Sequence, residues 1–233
     1  MNYGEIERQT FKTYLAFATL ILTLVSIFFI ISSTVYRTSN IIYEKSVDLN
    51  MESLENLMGT SIWLIDDTYF ETFYEENPVV ERVYIQRKLP NTLLVQINTS
   101  EKIVYVRDNR QSPPKTFILH KNLHTEDLDT NDELLMLTIN NGPVRDGFFE
   151  EMVTLVVTLK KYPINLSNIE ISYDGETMTA VHFNSTFNLG SASDLGRKAT
   201  VVGYYISEEP CDGEVRLVYS EDGRKINAVT KCS

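Results

Sequence analysis

The chain has 233 residues and carries 21 Lys plus Arg against 32 Asp plus Glu, a net charge of −11. Glu5, Glu7, Arg8 and Lys12 cancel within the first thirteen residues and residues 14–31 are uncharged, so the whole acidic excess falls on residues 32–233. That balance excludes nucleic acid and anionic headgroups as main partners, since both select clustered Lys and Arg, and two cysteines are too few for a disulfide-rich scaffold.

The run Tyr14–Ile31 (YLAFATLILTLVSIFFII) is apolar throughout. At about 1.5 Å per helical residue it crosses most of a ~30 Å hydrocarbon core, and nothing later in the chain could do so again. A cleavable signal peptide has a shorter core and a small-residue cleavage site, whereas this run ends in Ile-Ile-Ser-Ser-Thr. A buried core helix is the other alternative. The reading adopted is a retained anchor: a tail over 1–13, a transmembrane helix over 14–33, and one large water-soluble part. Arg8 and Lys12 before the run match Arg37 and Lys45 after it, so the positive-inside count is a tie. The short tail and the bulk beyond favour a cytoplasmic N-terminus.

Beyond the anchor, Ile41, Tyr43 and Lys45–Val47 alternate as a strand would. Asn50 then precedes Met51, Leu54, Leu57 and Met58 at helical spacing, with Asn as cap and Gly59 as stop. After the apolar Ser61–Ile65, Asp66-Asp67 open a second helix with Tyr69, Phe70, Phe73 and Tyr74 on one aromatic face, ended by Asn77-Pro78. Val83 and Ile85, then Leu93, Val95 and Ile97, give two period-two strands joined at Leu89–Thr92.

The order so far is β-α-α-β-β just outside an anchor. The segment Gly59–Asp66 (GTSIWLID), followed by Asn77–Ile97 (NPVVERVYIQRKLPNTLLVQI), resembles the POTRA domain of the bacterial division-protein family FtsQ/DivIB. The chain departs from the family pattern at Glu101-Lys102, where the acidic-basic pair is displaced and no Pro follows.

Downstream, Ile103–Arg107 and Phe117–His120 read as strands, and Asn140–Pro143 as a turn. Phe148–Tyr162 reads as an amphipathic helix with Phe149, Met152, Val156 and Leu159 on one stripe. Strands are expected at Ile169–Tyr173, Thr177–Phe183 and Thr186–Leu189, with turns at Asp174-Gly175 and Asn184-Ser185. Asp194 is placed to cap a helix bearing Leu195, Ala199, Val202 and Ile206. Leu189-Gly190 and Lys198 resemble positions in the family's second, mostly β domain. The fold class expected is α+β: one transmembrane helix, a POTRA-like domain over 34–106, and a mostly β domain with two helices over 107–233.

The chain closes with a hairpin. A two-residue turn at Asp222-Gly223 pairs Glu221 with Arg224, Tyr219 with Ile226 and Leu217 with Ala228, so the apolar faces coincide. The last strand, Arg224–Lys231, is then an edge. The resemblance implies that this segment docks FtsB/DivIC-like partners by strand addition, with Tyr219, Lys225, Asn227, Val229 and Lys231 as the contact candidates. The plainer alternative is a solvated edge guarded by Lys225 and Lys231. For Cys211 and Cys232 two readings stay open. One is a bridge across the hairpin base, and the other is two thiols, because the register sets Cys232 opposite Gly213 rather than Cys211.

No catalytic constellation is recognised. His120 and His124 are four apart but lie on a strand and a loop, without the Glu of an H-E-x-x-H motif. Asp66-Asp67 read as helix-capping acids. The expectation is a non-enzymatic bitopic division protein without cofactor, metal or small-molecule substrate. It binds FtsB/DivIC-like and FtsL-like bitopic proteins at the septum, outside the cytoplasm, and helps control septal peptidoglycan synthesis. The alternatives are an anchored enzyme or receptor, or a POTRA-containing envelope-assembly or secretion component.

Overall fold

The apolar run is one helix, α1 (Tyr3–Thr34). Its stretch Lys12–Ile31 is long and apolar enough to cross a membrane, and none of it is buried against protein. A core helix would be covered, so that alternative is excluded. Hydroxyls within it are satisfied internally: Thr19 donates to Leu15 O (3.0 Å), Thr23 to Thr19 O (2.7 Å) and Ser26 to Leu22 O (2.8 Å), as a lipid environment demands. The computed structural model describes residues 3–127, 133–221 and 223–232. The chain divides into two units, Met1–Thr99 and Ser100–Ser233.

In the first unit, β1 (Asn40–Glu44) is followed by a 3-10 turn, Glu52–Leu57. A second 3-10 turn, Asp67–Phe70, runs into α2 (Glu71–Glu76), and then come β2 (Val80–Lys88) and β3 (Thr92–Thr99). The sheet order is β1-β3-β2, with β1 parallel to β3 and β2 antiparallel to it. Leu54, Leu57, Ile62, Ile65, Phe70 and Phe73 pack onto Leu93, Val95 and Ile97. Asp66 caps the second turn as expected, accepting from Thr68 N (3.1 Å), whereas the first turn's cap is Met51 and Asn50, one residue earlier, accepts from Glu52 N (3.1 Å) without being the expected cap. The first expected helix is a 3-10 turn rather than an α-helix. The second begins as 3-10, which resets its phase to three residues per turn. Phe70 and Phe73 therefore enter the core while Tyr69 stays exposed, and the single aromatic face is not realised. The buried Asn77 accepts from Asn50 N (2.8 Å) and donates to Asn50 O (2.9 Å) and Phe73 O (3.0 Å), tying the unit's first loop to the end of α2.

The second unit begins with β4 (Lys102–Asp108), β5 (Lys115–His120), β6 (Thr125–Glu126) and β7 (Leu135–Ile139), then α3 (Phe148–Leu159). It continues with β8 (Ile169–Tyr173), β9 (Met178–His182), β10 (Ser185–Gly190), α4 (Leu195–Ser207), β11 (Gly213–Tyr219) and β12 (Ile226–Cys232). Among the described residues these form one nine-stranded sheet, β12-β11-β10-β9-β8-β7-β4-β5-β6. β4 bonds to β5 and β7, so the boundary falls at 99/100 and not after 106 as expected. β6 and β7 were not foreseen; β7 is a central strand, parallel to both neighbours, with Leu135, Leu137 and Ile139 buried.

Parallel neighbours β7 and β8, and β10 and β11, are bridged by α3 and α4. Both crossovers step the same way across the sheet from strands of the same polarity, so the right-handed rule places both helices on one face. They share a single core with the sheet: Phe148, Met152, Val156, Leu195, Ala199 and Val202 meet Leu137, Ile171, Phe187, Val215 and Leu217. The β9–β10 turn is Phe183-Asn184 rather than Asn184-Ser185, since Ser185 pairs with His182.

Candidate partner-binding site

The terminal hairpin has the expected ladder register, with Tyr219 opposite Ile226, Leu217 opposite Ala228 and Gly213 opposite Cys232. Its turn is wider than two residues. Ser220 N–H donates to Lys225 O (2.9 Å) and Gly223 N–H to Ser220 O (2.8 Å), so Glu221 and Arg224 do not extend the ladder. Asp222, half of the expected turn, lies outside the described residues. Cys211 and Cys232 are joined, their Cα atoms 5.2 Å apart. Although Cys232 faces Gly213 across the ladder, Cys211 lies just before β11 at a diagonal that a disulfide spans.

β12 is an edge of the nine-stranded sheet. In an antiparallel pair the backbone groups of alternate residues point toward and away from the partner strand. The bond at Ser220–Lys225 sets the phase, so Asn227, Val229 and Lys231 bond toward β11, and the N–H and C=O groups of Ile226, Ala228 and Thr230 point to the open side. Sequence reasoning named the first set and missed the second, although the register and its parity contained both. Ile226 and Ala228 turn their side chains to the core, while Val229 is 52% exposed on the opposite face. Lys225 precedes the strand, its N–H donating to Ser220 Oγ (2.9 Å).

Tyr219 is fixed at the other end of the hairpin. Its hydroxyl donates to Asp194 Oδ2 (3.0 Å), and Arg197 and Lys198 lie 6.0 and 5.7 Å from its ring centre. Burial, and then the Asp194 carboxylate, raise its pKa. Lys198 is 2% exposed and donates to Ser191 O (2.6 Å). Burial pushes its pKa down, with Arg145 adding to the effect and Asp194 and Glu151 opposing it. Asp194 does precede α4, but at φ +53° its side chain caps nothing; Leu195 N–H goes instead to Glu151 Oε2 (2.8 Å) from α3. Between α4 and β12 runs a groove of about 350 Å³ lined by Arg197, Thr200, Val201, Arg224, Lys225, Ile226 and Asn227. Its three cations and no acid contrast with the acidic chain around it. Arg197, which donates to Arg224 O, was not singled out by sequence.

His120 is buried with Nδ1 3.0 Å from Ser100 O and Nε2 3.1 Å from Glu126 Oε2, and the His124 ring lies 5.7 Å away. Among the described residues no group of three or more His, Cys, Asp and Glu is arranged to hold a metal ion.

A scan against protein-family models matches residues 48–98 to the POTRA domain, FtsQ-type. Residues 48–98 are a POTRA domain of the FtsQ type. β1 lies before the matched stretch and supplies the parallel edge of the POTRA sheet. The apolar α1, this POTRA domain and a mostly β unit in that order fit an FtsQ/DivIB-like protein. That POTRA family is generally non-enzymatic. No curated protein matches the chain.

Proposed function

We propose that this is a bitopic division protein that binds other bitopic division proteins, of the FtsB/DivIC and FtsL kind, outside the cytoplasm and thereby helps control septal peptidoglycan synthesis. The observation that carries the reading is the open edge of β12 beside a basic groove, in a chain with an FtsQ-type POTRA domain. A partner strand would take its backbone bonds from Ile226, Ala228 and Thr230 and lay side chains along Asn227, Val229 and Lys231. Acidic residues flanking that strand would meet Arg197, Arg224 and Lys225. The Cys211–Cys232 bond supports an extracytoplasmic location, because structural disulfides persist in oxidising compartments.

The test is binding of the purified full-length protein, in detergent, to FtsB/DivIC-like partners. Ala228→Pro removes an outward N–H without touching the β11–β12 ladder, and Val229→Asp places a charge on the contact face. Binding should be lost in the first and weakened about tenfold, or about 1.4 kcal/mol, in the second. Undiminished binding in both excludes the edge, and absence of the protein from division sites excludes the function.

A further inference from the structure

The chain has a single tryptophan, and it is not in a core. Trp63 is 53% exposed and Leu64 67% exposed, in a loop whose flanking Ile62 and Ile65 are fully buried. The loop is held rigidly: Arg87 donates from Nε to Ile62 O (2.7 Å) and from a terminal nitrogen to Ile65 O (2.8 Å), gripping the carbonyls on either side of the exposed pair. Leu64 N–H closes a turn on Ser61 O (2.9 Å).

This loop is tied to the chain that leaves the membrane-spanning helix. Arg37 and Ser61 form a β-bridge, Ile62 N–H donates to Tyr36 O (2.9 Å), and the Tyr36 and Trp63 rings meet edge-on at 6.0 Å. Tyr36 is two residues beyond the end of α1 and five beyond the end of the apolar span. Three helical and two extended steps hold it within about 12 Å of the hydrocarbon edge. The headgroup layer beyond that edge is about 5–8 Å deep, and side chains the size of tyrosine and tryptophan cover the difference. Val35, also exposed, continues the apolar surface toward the helix. Asp66 and Asp67 follow immediately, while Arg37 and Arg87 adjoin the loop, so charges of both signs flank the patch.

We infer that the Trp63-Leu64 loop seats in the interfacial layer of the bilayer that α1 spans, a second membrane contact that restrains the POTRA domain at the surface. This inference rests on the membrane-anchor reading of α1. Indole and phenol rings favour the water–lipid boundary, where an apolar body and a polar N–H or O–H are both satisfied. Asp66 and Asp67 offset Arg37 and Arg87 around the loop, so the contact is apolar rather than electrostatic and does not select anionic lipid.

The full-length protein reconstituted in phosphatidylcholine vesicles provides the test, because Trp63 is its own fluorescent reporter. Vesicles brominated at shallow acyl positions should quench it more than those brominated deep in the chain. The quenching should persist at high salt and be unchanged by added anionic lipid, and Leu64→Asp, folded by circular dichroism, should lose most of it. Protein that floats with the vesicles through alkaline carbonate yet shows unquenched Trp63 emission overturns the inference and leaves the anchor standing. Protein that carbonate strips from the vesicles overturns the anchor itself.

Discussion

The Tyr219 hydroxyl donates to Asp194 Oδ2, so the last residue of β11 is latched to the residue just before α4. The latch sets the hairpin tip against the basic groove. Tyr219→Phe should cost about 0.5–1.5 kcal/mol in urea unfolding, the net worth of one hydrogen bond. Asp194→Ala should cost more, because it loses the acceptor and also forces a Cβ-bearing apolar residue to φ +53°.

The Cys211–Cys232 bond closes a loop with a sequence separation of 21 residues. Reduction, or paired Cys→Ser substitution, should lower stability by about 2–4 kcal/mol. Partner affinity should fall with it as the end of β12 frays. Chemical unfolding with and without dithiothreitol, and titration of the partner under both conditions, checks both parts.

Asp108 is nearly buried and accepts from Arg110 N (3.1 Å), Nε (2.8 Å) and a terminal nitrogen (2.6 Å). The Arg110 side-chain bonds, first among the causes, hold its carboxyl below the usual range. The folded state therefore binds this proton less readily than the unfolded chain. Its stabilising contribution is complete above the ordinary aspartate value and is lost as pH falls through the lowered one. Arg110→Gln should cost about 1–3 kcal/mol at neutral pH and flatten the acid limb of the stability curve.

For Lys198 the sign is reversed. Burial lowers its pKa in the folded state, so the unfolded chain holds the proton more tightly and stability rises with pH in the alkaline range up to the ordinary lysine value. Lys198→Met should remove that rise, each unit of lowering being worth about 1.4 kcal/mol. Melting temperatures of the two proteins across neutral to alkaline pH give the comparison.

Gly142 and Gly175 meet backbone to backbone: a Cβ built on Gly142 would lie 2.3 Å from Gly175 Cα, and both residues have positive φ. Gly175→Ala combines a clash with left-handed strain and should destabilise the second unit by at least about 2 kcal/mol, measured by urea unfolding.

Much of this architecture was legible from local pattern. The hairpin register followed from matching two period-two faces, and α3 from its apolar stripe, because each is encoded within about a dozen residues. What stayed hidden depended on partners distant in sequence. β7 lies between two parallel strands and pairs with the Val104 and Ile171 neighbourhoods, distant partners that the turn read directly after it at Asn140–Pro143 does not reveal. The boundary expected after 106 lies at 99/100, because β4, with Ile103, Val104, Tyr105 and Val106 all buried, takes its bonds from β5 and β7, strands that come later in the chain. The basic groove joins Arg197 on α4 to Arg224 and Lys225 from the hairpin, residues no motif links. Asp194 fell in the right place but took a different task, because Glu151 from α3 had already supplied the cap.

The covalent tie between Cys211 and Cys232 has a topological consequence. β12 is fastened at its far end to the stem of the hairpin that precedes it, so it cannot peel off to be replaced by an invading segment or traded with a second molecule. A strand added to this edge would have to lie alongside a rail that stays in place, and would dock and leave without unravelling the domain.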